Sequence, residues 1–389
     1  MHIAYLIPFL SLLSGTFAGL IKRSDCGGGR TASDHKCCVW YDVLDDLQQD
    51  LFVREPCGKT VHESLRLAFH DAVGFSARLW DEGKFGGGGA ETKDGSIIKY
   101  KDVELAFPGN KGLRTIVERQ EIVGLAHDIS FGDLIQFAAA VGITNCPGAP
   151  RLEFLAGRSK ETQPSPEGLL PSAGSSVDVV SPVTIDIRER LLSVILQLLE
   201  RHADVGFSAH ELVDLLIAHT IGGQENVNPG TPNTPFDTTP QSFDTQFFIE
   251  TLLNGTAPPN NGLHDGEAIP PLVGSFRLAS DALLARDPRT ACYWQSFATD
   301  QDRMRQRFRA VMSKLAVVGQ KREDLVDCSE VIPDVQEVLK QPFLPAGKTM
   351  DNIEVACQES PFPTLTADPG RETAVHPEFL PVLNVTITE

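Results

Sequence analysis

Several signatures that would place this chain elsewhere are missing. It has no Cys-x-x-Cys pair, no His-Glu-x-x-His helix and no Gly-x-Ser-x-Gly turn, so zinc-finger, zinc-protease and hydrolase-elbow chemistry lack their residues. Gly-Lys-Thr occurs at 58–60 and 347–349 with no glycine ahead of it at P-loop spacing, which leaves nucleotide binding unsupported. Alternating β-branched runs are nearly absent, and no internal repeat is visible. Positive charge is in deficit: 34 Lys and Arg stand against 52 Asp and Glu, a formal charge of −18. Such a surface repels nucleic-acid phosphates and anionic membranes, and excludes both as partners. Past the first residues, no apolar run is long enough to span a bilayer.

What is present begins with an apolar run from Ile3 to Leu13 followed by Ser14, Gly15 and Thr16, with Ala18 a cleavage position. This pattern predicts a secretory leader, and the dibasic Lys22-Arg23 predicts a short pro-segment, so the mature chain starts near Ser24. Eight cysteines follow, at 26, 37, 38, 57, 146, 292, 328 and 357. An even number in an exported chain predicts four disulfides, with the pairing left open by the residues alone. Asn254-Gly-Thr and Asn384-Val-Thr are glycosylation sequons consistent with export. At 389 residues the chain exceeds one ordinary core, which implies two domains or one two-lobed unit.

Helical periodicity dominates. Residues 37–52 place Val39, Val43, Leu44, Leu47 and Leu51 on one stripe. Further helices are predicted over 60–72, 111–127, 130–142, 184–202, 208–219, 245–253, 276–286 and 300–318. Ser130 with Asp133 and Ser208 with Glu211 read as capping boxes. Loops rich in Gly, Pro and Asp lie at 81–96, 145–182, 223–243 and 254–275, and loops of that length are usually functional or held by a ligand. From Pro342 to Glu389 the chain is proline-rich and aperiodic, predicting an extended surface tail.

Four segments carry chemistry. On the helix 61–72, Glu63, Arg66 and His70 recur at spacings of three and four and share a face. Taken alone, that face is as readily a solvated one. The apolar helix 211–223 ends on His219, Thr220 and a glycine pair; a lone histidine there is usually a satisfied core residue. In the loop 236–244, Asp237, Thr239 and Asp244 cluster oxygens as a hard cation prefers, and 85–96 offers backbone carbonyls beside Asp94 and Ser96. Neither loop matches an EF-hand, and an Asp-rich turn is the plain alternative.

In combination and order these segments resemble the fungal secreted class II haem peroxidases over nearly the whole mature chain. The match includes the helix 61–72, GDLIQFAAAVGITNCPG, LLIAHT, FDTTPQSFDTQFFIETLLNG, RLASDALLARDPRTACYWQSF and LTADPG. The resemblance implies an all-α, two-lobed fold with haem b between the lobes and little β structure. The distal lobe would span about 24–160 and the proximal lobe about 161–341 of a catalytic domain 24–341, with 342–389 as the tail. It implies hydrogen peroxide and small phenolic or aromatic donors as partners, an extracellular monomer, a place in lignin degradation, and high-valent iron intermediates.

Residue by residue, the resemblance makes His219 the iron ligand, with Asp281 accepting from its other ring nitrogen. His70 moves the peroxide proton, Arg66 steadies the developing charge, and Asn110 orients His70 and is itself held by Glu104. Phe69 and Phe236 line the haem faces. One calcium would take Asp71, Gly89, Asp94 and Ser96, and a second Thr220, Asp237, Thr239, the Ser242 carbonyl and Asp244. The family usually reads GGGGADGS, whereas this chain inserts three residues to give GGGGAETKDGS; Asp94 is chosen over Glu91 because it precedes Gly-Ser. The implied disulfides are Cys26–Cys38, Cys37–Cys328, Cys57–Cys146 and Cys292–Cys357.

Two positions bear on the subtype. Manganese peroxidases carry three carboxylates; here Glu63 and Glu225 match two of them and the third position is Lys59, which opposes a divalent cation. Lignin and versatile peroxidases carry an exposed tryptophan five residues before the proximal histidine, and that position is Asp214. Trp80 is another candidate relay, though a merely packed or exposed aromatic is the commoner case. The expectation is a generic peroxidase oxidising phenols at the haem edge; the alternative is an atypical manganese peroxidase using Glu63 and Glu225. From other classes, a non-catalytic calcium-binding glycoprotein has no need of the Arg66 and His70 pair, and a zinc hydrolase on His70 and His219 lacks ligand spacing.

Overall fold

A computed structural model describes residues 23–54, 56–84, 94–170, 187–337, 341–372 and 374–375, with backbone alone over 187–194. The expected leader, Gly89, the 91–93 insertion and the Asn384 sequon lie outside the described residues. Helices appear where the apolar period is strong. Helix α1 (Val39–Asp46) runs on through a π turn over Leu47–Leu51, and Val43, Leu47 and Leu51 are buried as their stripe predicts. Helix α2 (Lys59–Ala72) follows, then three short pieces the periodicity did not reveal: α3 (Ala77–Asp81), α4 (Ser96–Lys99) and α5 (Lys101–Glu104). Next come α6 (Arg114–Ala126), α7 (Phe131–Thr144), α8 (Ile187–Asp204) and α9 (Ala209–Leu216). The last are α10 (Gln246–Glu250), α11 (Ala279–Leu284), α12 (Ala291–Gln295) and α13 (Gln301–Leu315). Among the described residues, strands form only two-stranded pairs, such as Leu155–Ala156 with Val326–Asp327.

Helix α7 is the inner post of the fold. Every residue from Gly132 to Thr144 is buried, and the helix packs along α2 and beside α6. A helix apolar on all sides can be stable only in such a position. Trp40, Phe137 and Phe154 nest with centroids 4.7–4.8 Å apart, and truncating Phe137 to alanine would cost roughly 3–5 kcal/mol. A second aromatic nest joins Phe247, Phe248, Trp294 and Phe297 beneath α10 and α12.

The two expected capping boxes differ. Ser208 and Glu211 cap reciprocally at α9. At α7, Ser130 accepts from the Asp133 amide, but the Asp133 carboxylate turns instead to the Gly157 and Arg158 amides and the Arg158 guanidinium. That buried guanidinium also binds Asp94, so the Asp133 carboxyl group is worth more there, as its partner, than at the helix end. All four disulfides pair as the resemblance implies. The C-terminal segment is pinned by Cys292–Cys357 and by pairing of Phe343–Leu344 with Thr366–Ala367.

Candidate active site

A cavity of about 900 Å³ lies among the described residues. One face of α2 lines it, with Lys59, His62, Glu63, Arg66, Phe69 and His70 recurring at helical spacing. The other face of the helix, including Val61, Leu67 and Ala68, is buried in the core. A charged face on a helix so deeply set therefore looks into a cavity, and the solvated-face alternative falls. On the far side of the chain, α9 tightens into a 3-10 turn over Ile217–Ile221 that brings His219 to the same cavity. Gly222 follows it, and a Cβ there would lie 3.0 Å from both His62 Nε2 and the Phe236 ring. The glycine is needed for close approach as much as for stopping the helix.

Each of the two imidazoles has one nitrogen committed. The Asn110 Nδ2 donates to the Glu104 carbonyl at 2.9 Å, which can only accept, so Asn110 Oδ1 faces His70 Nδ1 at 2.9 Å. His70 thus carries its proton on Nδ1 and keeps a lone pair on Nε2. Burial, aided by the Arg66 charge, lowers the His70 pKa to about 3, against the opposing pull of the Asn110 hydrogen bond. Glu104 holds Asn110 through its backbone; its carboxylate accepts from the Ser165 amide and is pushed upward in pKa by burial.

Across the cavity, His219 Nδ1 donates to Asp281 Oδ2 at 2.9 Å, leaving Nε2 as the nitrogen for a ligand. Asp281 is almost fully buried, and its second oxygen has no hydrogen-bond partner among the described residues. The carboxylate is therefore devoted to this imidazole. Arg66 donates to the Lys111 and Gly109 carbonyls at 3.0 and 3.1 Å, which aim its guanidinium. Gly112 (φ +89°) lets the backbone pass close by: a Cβ there would meet Asn226 at 2.3 Å and Arg66 at 3.5 Å. Phe69 stacks on His202 with centroids 5.8 Å apart, and Phe236 tilts against His219 at 4.9 Å. This cavity, with two imidazoles presenting Nε2 and apolar rings beside them, fits a haem; His219 would be its iron ligand and the α2 face its distal wall.

His62 and His202 also line the cavity and were not singled out from the sequence. Burial holds His62 at about 3 and His202 at about 4. The spacing 62, 66, 70 repeats every four residues and could have revealed His62. His202 has no comparable sequence signal.

At the cavity edge Glu63 and Glu225 do converge, and Lys59 sits between them. Its ammonium pairs with Glu225 and lies 3.8 Å from Glu63. Burial pushes the Glu63 carboxyl up to about 7 despite Lys59. Asp214 is fully buried and paired with Arg307. Trp80 is exposed and stacks on no other ring among the described residues.

Among the described residues, no group of three His, Cys, Asp or Glu side chains has the arrangement of a metal site. Of the expected calcium oxygens, Thr220 Oγ1 bonds Asp237 at 3.2 Å and the Asp244 carbonyl at 2.9 Å, and Thr239 Oγ1 bonds Asp244 at 3.0 Å. Ser242 closes the turn on the Thr239 carbonyl. Burial, with Asp244 and Glu250 adding like charge, raises the Asp237 pKa far above its usual value. On the distal side, Asp71 accepts from the Gly95 and Ile97 amides, Asp94 binds Arg158, and Ser96 bonds the Glu104 carboxylate.

The peroxidase family model matches residues 43–300, and the fungal peroxidase extension region matches 303–379. The chain is 49% identical to a peroxidase of Arthromyces ramosus over 345 residues, 89% of each chain. It is 48% identical to a peroxidase of Coprinopsis cinerea over 367 residues, 94% of this chain and 95% of that one. A versatile peroxidase of Pleurotus eryngii is 45% identical over 366 residues, 94% of this chain and 93% of that one.

Proposed function

The chain belongs to the peroxidase family, as a haem peroxidase that uses hydrogen peroxide to oxidise reducing substrates, and we propose which of its residues do this and on which donors. Haem supplies the iron at which peroxide is cleaved and the oxidising equivalents that donors later quench. His219 holds that iron through Nε2, and Asp281 keeps its imidazole oriented and electron-rich. His70 accepts the peroxide proton on Nε2 and returns it to the departing oxygen. Arg66, anchored on two carbonyls, meets the negative charge that develops on that oxygen. Phe69 and Phe236 keep water from the haem faces. What carries this reading is one observation: both imidazoles commit Nδ1 to a buried partner and present Nε2 to one cavity.

The donors are phenols and similar small molecules oxidised at the haem edge. Lys59 supports this choice, because it supplies the positive charge between Glu63 and Glu225 that a manganese ion would otherwise bring. Steady-state rates with Mn(II), a simple phenol and veratryl alcohol, taken side by side, test it. Phenol turnover without manganese is expected, and Mn(II) oxidation at micromolar affinity would overturn it.

A calcium ion is proposed at Thr220, Asp237, Thr239, Ser242 and Asp244, where buried carboxylates crowd together. The distal set of Asp71, Gly89, Asp94 and Ser96 would hold a second ion with fewer uncommitted oxygens, since Arg158 and two amides already serve its carboxylates. Export is proposed on the leader pattern and supported by four disulfides with no free cysteine among the described residues.

A further inference from the structure

Tyr293, on α12, is partly exposed at the surface and is tied to the interior in two ways. Its hydroxyl donates to Asp214 Oδ1 at 2.7 Å, and the other oxygen of that buried carboxylate takes two bonds from Arg307, at 2.6 and 3.1 Å. Its ring lies flat on His210, with centroids 4.1 Å apart and planes within 3°. Its covalent neighbour Trp294 is fully buried and packs at 5.2 Å against Phe247, which meets the His219 ring edge-on at 5.5 Å. A second route runs through Phe297 and Phe248 at 5.1 and 5.0 Å. Neighbouring π systems therefore connect a surface phenol to His219, the proposed iron ligand.

We infer that Tyr293 is a second entry for electrons, taking them from anionic aromatic donors too bulky for the cavity and relaying them through Trp294 and Phe247 to His219. The inference rests on the haem-peroxidase reading. One electron leaves the phenol for the peroxide-oxidised centre, which is reduced by one equivalent. The phenolic proton moves to Asp214 along the existing hydrogen bond, so a neutral tyrosyl radical and a protonated carboxyl result. The donor then gives up one electron, the proton returns from Asp214 to the tyrosine oxygen, and any proton released by the donor goes to water. Proton acceptance is what makes the step accessible, because a charged ring would face two cations: the guanidinium carbons of Arg303 and Arg307 lie 5.4 and 6.0 Å from its centroid. The same arginines favour sulfonated or carboxylated donors on an otherwise acidic protein.

The test compares the holoenzyme with Tyr293→Phe and Asp214→Asn, using a sulfonated azo dye and a simple phenol as donors. For Tyr293→Phe, which keeps the ring and its packing, kcat/KM for the dye is expected to fall at least tenfold and that for phenol to stay within twofold. Asp214→Asn removes the proton acceptor and should lower dye turnover at least threefold. Peroxide-treated wild-type protein should carry a spin-trap adduct on the peptide containing residue 293, absent in Tyr293→Phe. Dye turnover within twofold of wild type in Tyr293→Phe, or no adduct at 293 in wild type, would overturn the inference. Phenol turnover by the wild type in the same assay tests the haem-edge reading separately.

Discussion

Replacing Lys59 by alanine should turn the carboxylate pair at the cavity edge into a manganese site. Lys59 is an internal monocation paired with Glu225 and 3.8 Å from Glu63. A divalent ion placed about 4 Å from that ammonium is repelled by about 2 kcal/mol even at the dielectric constant of water. The lysine and Glu225 side chains are about one-third exposed, at 35% and 37%, so the water-like figure is the right lower bound. Converted at about 1.4 kcal/mol per decade, it predicts Mn(II) binding at least about thirtyfold tighter in Lys59→Ala than in wild type. Titration of Mn(II) followed by the loss of its free-ion magnetic resonance signal measures this directly. Lys59→Ala with Glu63→Gln should return the affinity to the wild-type level. If Lys59→Ala binds manganese no more tightly than wild type, the lysine is not what keeps the metal out.

Three further outcomes are expected. The reaction with peroxide should keep its rate from neutral pH down to about 4, because His70 stays unprotonated until about 3, and a rate falling with a midpoint near 6.5 in stopped flow would contradict this. Folding stability shows the same groups with a definite sign: His62, His70 and His202 have lowered pKa values in the fold, so the unfolded chain alone takes up protons as pH falls below about 6.5, and denaturant midpoints should drop between there and about 3. Chelating calcium should lower the melting temperature by an amount equivalent to about 3 kcal/mol when the ion had been held near a hundred times its dissociation constant, and calorimetry with and without added calcium measures it. Asp281→Asn should retain the His219 hydrogen bond without its charge, raise the iron reduction potential in spectroelectrochemistry, and slow the peroxide reaction roughly ten- to a hundredfold.

The parts legible in the sequence are those where one physical demand governs many residues. Apolar periodicity exposed α2, α7 and α13 because each buries a long stripe, and it overlooked α3, α4, α5 and α12 because four or five residues form too short a window. Pairing of the eight cysteines came from the family resemblance, since spacing alone allows many partners. The capping box at α7 failed because Arg158, distant in sequence, competes for Asp133. Glu104 was placed beside Asn110, but not the backbone carbonyl that does the holding. His202 escaped notice since its stacking on Phe69 joins residues far apart in the chain, which no local pattern encodes. The convergence of Glu63 and Glu225 on Lys59 joins two segments far apart in the chain, and no local pattern encodes it.

The central claim is that the Nε2 of His70 is the base for peroxide in the cavity it shares with His219, the proposed iron ligand. Its most direct measure is the second-order rate of peroxide reaction in stopped flow for His70→Leu, with haem content checked by the Soret band. General acid–base catalysis by a positioned side chain is worth roughly a hundred- to ten-thousandfold. The account predicts a loss of at least about a hundredfold with haem retained, and a rate within a few-fold of wild type would contradict it.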